Sequence, residues 1–188
     1  MVQIPVEVAE TFHRYYTFMQ EHVGFQMKRS LFHTKEHCGR VLLFSLLLAD
    51  REGLSGEEKE ILAAAAIFHD TRRQDDGFDV GHGRRGAEYY WEYCLSHSVK
   101  FSELCYRIME YHDRDDKIGE KALSTMGPEK DRAIMLYRIF KDADALDRFR
   151  LGPGQGSLDE TYLRTESAKD LTGYAKRVVE SWEEGPEA

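Results

Sequence analysis

An all-α fold, a bundle of about six to seven helices in one domain over residues 1–188, is what the sequence predicts. Apolar residues recur at three- and four-residue steps through most of the chain, no run alternates as a strand, and Gly- or Pro-containing stretches separate the periodic segments. A chain of 188 residues is also long enough to bury one substantial core.

The first helix is VEVAETFHRYYTFMQEHV, with Val8, Phe12, Tyr15, Tyr16 and Met19 on one face and Gly24 as its stop. A second is expected from near Ser30 through LFHTKEHCGRVLLFSLLLADRE, whose almost wholly apolar second half calls for burial on several sides. Ser55 with Glu58 forms a capping box that starts EEKEILAAAAIFHD, where small alanines let neighbours approach. Residues 71–81 read as a loop, followed by a helix from about His82 to His97 and another over SELCYRIMEYH. Residues 113–127 read as a polar connection containing Gly119 and Gly127. Pro128 suits the first turn of PEKDRAIMLYRIFKDADALDRFRL. LGPGQGS breaks the chain, and a last helix is expected over about 159–183, before a frayed GPEA tail.

Composition narrows the function classes. A net charge of −8 argues against a general nucleic-acid coat, which needs clustered cations, so an anionic ligand would have to be held by local cations or a metal. The longest apolar run, VLLFSLLLA, is about half a membrane span, and no signal-peptide pattern opens the chain, so a cytoplasmic location is expected. Cys38, Cys94 and Cys105 lack Cys-x-x-Cys spacing and signal neither a disulfide framework nor a thiolate zinc site. A homodimer through a terminal helix is compatible with the pattern.

Three places carry chemistry. His33 and His37 lie four apart and share a helix face, although such a pair is equally an exposed polar edge. His69-Asp70 follows AAAAIF directly and should lie near the core; a buried histidine beside a carboxylate at a helix end is a natural cation site, though a lone buried histidine is more often just hydrogen-bonded. In KDADALDR, Asp144 follows Leu136, Tyr137 and Phe140 on the inward stripe, with Asp142 and Asp147 expected at its edges. Asp144 then needs a positive partner, either a metal or an ion pair with Arg40 or Arg138.

Taken together, EHCGRV, FHDTRR and KDADALD, with HGRRGAEYY and IMEYH between them, resemble the HD-domain superfamily of metal-dependent phosphohydrolases over residues 33–148. The resemblance implies that His37, His69, Asp70 and Asp144 hold a first metal, with His33 near the site. It further implies that Asp70 bridges to a second metal completed by His82 and His112. The cofactor would be one or two divalent transition ions, Mn, Fe, Co, Ni or Zn. The implied activity is attack by a metal-activated water on a phosphomonoester or phosphodiester of a nucleotide-like small molecule, with Asp70 and Arg73 as the catalytic groups. Some members carry a glutamate where Arg73 stands, and arginine there favours phosphate binding. Lys141 and Arg148 are further substrate cations, with Arg72, Arg84 and Arg85 as alternatives that also suit a solvated surface. A di-iron oxygenase on the same scaffold and a non-catalytic nucleotide-sensing module are the competing readings. Phe78, Tyr89, Tyr111 and Tyr162 either stack on a base or pack in the core.

Overall fold

The computed structural model describes residues 4–30, 32–154 and 157–182; the GPEA tail and position 183 lie outside them. Among the described residues the chain forms nine α-helices and no strand. They are α1 (Val6–His22), α2 (Lys35–Arg51), α3 (Gly56–Phe68), α4 (His82–His97), α5 (Glu103–Tyr111), α6 (Asp116–Leu123), α7 (Lys130–Leu146), α8 (Glu166–Lys169) and α9 (Thr172–Ser181). The all-helical expectation holds, and the larger helix count has identifiable causes.

Helix α2 is the axis of the bundle. Every residue from His37 to Ala49 is buried, because α1, α3 and α7 cover it from different sides. Its apolar half accordingly meets partners all round, and each fully buried Leu or Phe there contributes about 1.5–3 kcal/mol. The helix starts at Lys35 rather than near Ser30. Thr34 caps it by accepting from the His37 amide, while Ser30 Oγ accepts from the His33 amide and holds the preceding residues in a turn.

Helix α3 opens on the expected capping box, with Glu58 Oε2 accepting from the Ser55 amide at 2.8 Å. Arg132, hydrogen-bonded to Glu58, and the cap itself hold that carboxyl down at about 2, which ties the start of α7 to α3. Ala63, Ala65 and Ala66 are buried, and α2, α5 and α7 pack on this small-residue surface. The three cysteines are buried free thiols.

Two further stretches differ from expectation. The stretch 113–127 contains α6, started by the Asp115 side chain accepting from the Lys117 amide. Gly119 is a packing residue there, since a Cβ at that position would lie 2.3 Å from the Tyr137 hydroxyl. At the other end, one continuous helix over 159–183 is replaced by a 3-10 turn (Glu160–Tyr162), α8 and α9. The reason is Asp142, whose carboxylate accepts from the amides of Arg164 and Thr165 and from the Thr165 hydroxyl, holding Leu163 and Thr165 extended. Asp142 is fully buried, not at the edge of the α7 stripe. No helix among the described residues is long and apolar enough to cross a membrane.

Candidate metal centre

Four buried histidines converge where α2, α4 and the C-terminal ends of α3 and α5 meet. Helix α3 ends at Phe68, so His69 and Asp70 sit on the tight turn after it, closed by the Thr71 amide and hydroxyl on the Phe68 carbonyl. His82 is the first residue of α4, and His112 follows the last residue of α5. Gly83 brings these two histidines together. A Cβ there would stand 2.4 Å from the Met109 carbonyl and 2.8 Å from His112 Nδ1, so only glycine permits this approach of α4 to α5.

The ring orientations follow from local backbone. His69, His82 and His112 each direct Nδ1 to the carbonyl three residues earlier, those of Ala66, Asp79 and Met109, at 2.9, 2.7 and 2.7 Å. A carbonyl only accepts, so Nδ1 carries the proton and Nε2 presents a lone pair inward. His37 reaches the same state differently: its Nδ1 lies 2.7 Å from a carboxylate oxygen of Asp147.

Those lone pairs face one another. His37 Nε2 is 3.2 Å from His69 Nε2, and His82 Nε2 is 2.9 Å from His112 Nε2. Two nitrogens that each bind one ion at about 2.0–2.1 Å are about 3 Å apart at ordinary ligand angles, so both pairs have coordination spacing. Asp70 stands between them, with Oδ2 at 3.5 Å from His37 Nε2 and Oδ1 at 3.0 Å from His82 Nε2. Its Oδ1 is buried and has no hydrogen-bond partner among the described residues. The donor atoms form two triads, His37, His69, Asp70 and Asp70, His82, His112, each with its donor atoms within 4.8 Å of one another. Asp144 Oδ1 adds a carboxylate at 3.5 Å from His37 Nε2 and 4.0 Å from His69 Nε2. An orphaned buried carboxylate oxygen and facing imidazole lone pairs suit a divalent cation.

The electrostatics agree. Burial drives His69 down to about 3, into its neutral ligating form. Burial opposes charge on His37 and His112 as well, yet the adjacent carboxylates, Asp147 and Asp70 beside the first and Asp70 beside the second, raise both. Burial also opposes charge on Asp70 and Asp144, but the surrounding histidines outweigh it and hold both well below the usual carboxylate range. The cluster as a whole calls for positive charge.

All six predicted ligand positions are therefore brought to one place, but the α7 acids differ from expectation. Asp147 is fully buried, whereas the Asp144 side chain is 34% exposed and faces an open cleft of about 860 Å³. Neither Arg40 nor Arg138 pairs with Asp144: Arg40 is bonded to Asp147, and Arg138 to Glu120. Asp147 lies seven residues past Phe140 and four past Ala143, so the helical stripe already contained its inward placement. It orients His37, a role that only the fold reveals. Replacing Asp147 by Asn is expected to weaken metal binding about 10- to 100-fold. Asp142→Asn, at an equally buried acid that bonds to Arg164 and Thr165 and, among the described residues, to no histidine, should lower thermal stability without that loss, as titration with Mn²⁺ would check.

The cations sort by the same geometry. Arg73 is buried at the cleft, Nη1 standing 3.1 Å from His82 Nε2 and 3.7 Å from Asp70 Oδ1. The Asp75 and Gly77 carbonyls anchor its other two nitrogens. Lys141 lines the cleft but is held by Asp116 at 2.7 Å and the Arg114 carbonyl at 2.6 Å. Arg148 is exposed, and no pairing carboxylate is seen for it among the described residues. Arg72, Arg84 and Arg85 do not line the cleft and are engaged with the Gly24 carbonyl and Tyr89 ring, Glu88 and Asp79 respectively. His33 lies near the donors but bonds to Asp76 at 3.1 Å.

The HD-domain family model matches residues 34–148, more than half of the chain, and takes in every donor described above. No curated protein and no solved structure matches the chain at a meaningful level of similarity. Convergent histidines, a shared aspartate and this match have one conclusion: the chain belongs to the HD-domain family, a superfamily of metal-dependent phosphohydrolases.

Proposed function

We propose that the protein hydrolyses a phosphomonoester or phosphodiester bond in a small, nucleotide-like molecule. The observation that carries this reading is the pair of His/Asp triads sharing Asp70 on the floor of an open cleft that also holds Arg73 and Arg148. His37, His69, Asp70 and Asp144 would hold one divalent ion, and Asp70, His82 and His112 a second. Bound there, such ions supply Lewis-acid charge and lower the pKa of water from about 16 toward about 7.

The chain's own groups do the rest. Arg73, fixed by two carbonyls, directs its remaining nitrogen at the donors, where a planar guanidinium suits phosphoryl oxygens. A phosphoryl oxygen and His82 Nε2 compete for the same Arg73 nitrogen, so ligand binding would draw that nitrogen off the histidine and free it as a donor. Arg148 is the more available cation for a non-reacting oxygen, while Lys141 contributes its charge from a position fixed by Asp116. A net charge of −8 on the whole chain makes these local cations necessary for an anionic substrate.

Metal analysis of purified protein, coupled to a screen of nucleotides and simple phosphate esters for phosphate release with added Mn²⁺ or Co²⁺, tests the reading. Turnover that depends on the added metal is the expected result. Oxygen consumption by the iron-loaded protein without ester cleavage would instead indicate the oxygenase chemistry that the same ligand set permits.

A further inference from the structure

We infer that Phe78 and Tyr162, with Phe32 beside them, form an aromatic rim that selects a phosphate ester carrying a planar aromatic group; the inference rests on the hydrolase reading above. The exposed aromatic side chains among the described residues are Phe32, Phe78, Trp91 and Tyr162, and three of these four line the metal cleft. Phe78 is fully exposed, and Tyr162 is 72% exposed. Leaving rings of that size in water forgoes burial that the core offers elsewhere, and nothing among the described residues covers them.

The other two aromatics that could have stacked on a base are accounted for by packing. Tyr89 lies under the Arg72 guanidinium at 3.3 Å and bonds through its hydroxyl to the Gly24 amide, and Tyr111 packs against the core. Phe78 and Tyr162, in contrast, are presented on braced backbone. Around Phe78, the Gly77 carbonyl accepts from Arg73, the Gly77 amide donates to Asp75, and Asp79 accepts from the Gln74 amide and from Arg85. Tyr162 closes a 3-10 turn capped by Asp159, and the Phe32 carbonyl accepts from Arg150. Rings held in this way at the mouth of a cleft can receive a flat group with little ordering cost, while the phosphate reaches the donors below.

The test compares adenosine 5′-monophosphate with ribose 5-phosphate, which keeps the sugar and phosphate and lacks the base, on the Mn²⁺-loaded protein. KM is read where the ester is cleaved and Kd where it is not. The wild type should favour the nucleotide by about 10- to 100-fold, the difference expected for base stacking. Phe78→Ala with Tyr162→Ala should erase that ratio and leave the ribose 5-phosphate value unchanged, and Phe78→Trp should preserve the ratio. Both rings are outside the core, so thermal stability should not move. Equal affinity for the two ligands in the wild type, or a ratio unaltered by the double substitution, overturns the inference even if hydrolysis is found. Base-selective binding with no cleavage of any ester would sink the hydrolase reading and leave the rim standing.

Discussion

Replacing Asp70 by Asn should remove both metal equivalents of the proposed centre and lower the proposed ester hydrolysis by about a thousandfold or more, because one carboxylate serves both triads. Asn is nearly isosteric, so the turn after α3, closed by the Thr71 hydroxyl on the Phe68 carbonyl, stays intact and the circular dichroism spectrum should not change. What is lost is the negative charge that faces His37 on one side and His82 on the other. His82→Ala should behave differently and leave one equivalent on His37, His69, Asp70 and Asp144. Measuring bound metal in both variants separates a shared carboxylate from two independent sites. A full metal complement in Asp70→Asn would refute the bridging assignment.

Gly83→Ala has the second largest expected effect, although it removes no functional group. The added methyl would meet the Met109 carbonyl and the His112 ring below van der Waals distance, so α4 must retreat from α5. His82 and His112 should then separate, with loss of the second proposed metal equivalent and retention of the first. Overpacking of this kind costs about 1–3 kcal/mol, which would appear as a fall in Tm. Gly173→Ala is the control, since the nearest atom to a Cβ there is 3.8 Å away at the end of a flexible Arg177 side chain. That substitution should be neutral or raise stability by up to about 1 kcal/mol, because alanine is the better helix former. Retention of both metals in Gly83→Ala would show that helix spacing does not set the second site.

The candidate donors were named through the family resemblance, and the local structure that presents them is written in neighbouring residues. His69-Asp70 ends an alanine-rich helix, His82 begins one, and His112 follows one, so each position is fixed by a cap or a turn within a few residues. The same locality sets the tautomers of His69, His82 and His112, whose Nδ1 partners lie three residues back in the chain. The α7 acids were harder to assign. Asp142, Asp144 and Asp147 all lie close to the apolar stripe, and periodicity cannot say which will meet a histidine, a backbone amide or a cleft. The missed α6 shows the same limit, since Gly119 reads as a loop signal until Tyr137 is seen against it.

By itself, then, the sequence determined the helical class, the family resemblance and the order in which the six candidate donors lie along the chain. Tertiary structure decided that Asp147 orients His37 across 110 positions of chain, that Asp142 breaks the C-terminal helix, and that Asp144 alone of the three opens to the cleft. It also decided which aromatics are core and which stand at the rim. The physical reason is range. Caps, turns and amphipathic stripes are written in neighbouring residues, whereas the partner of a buried charge is chosen by whichever distant element packs against it.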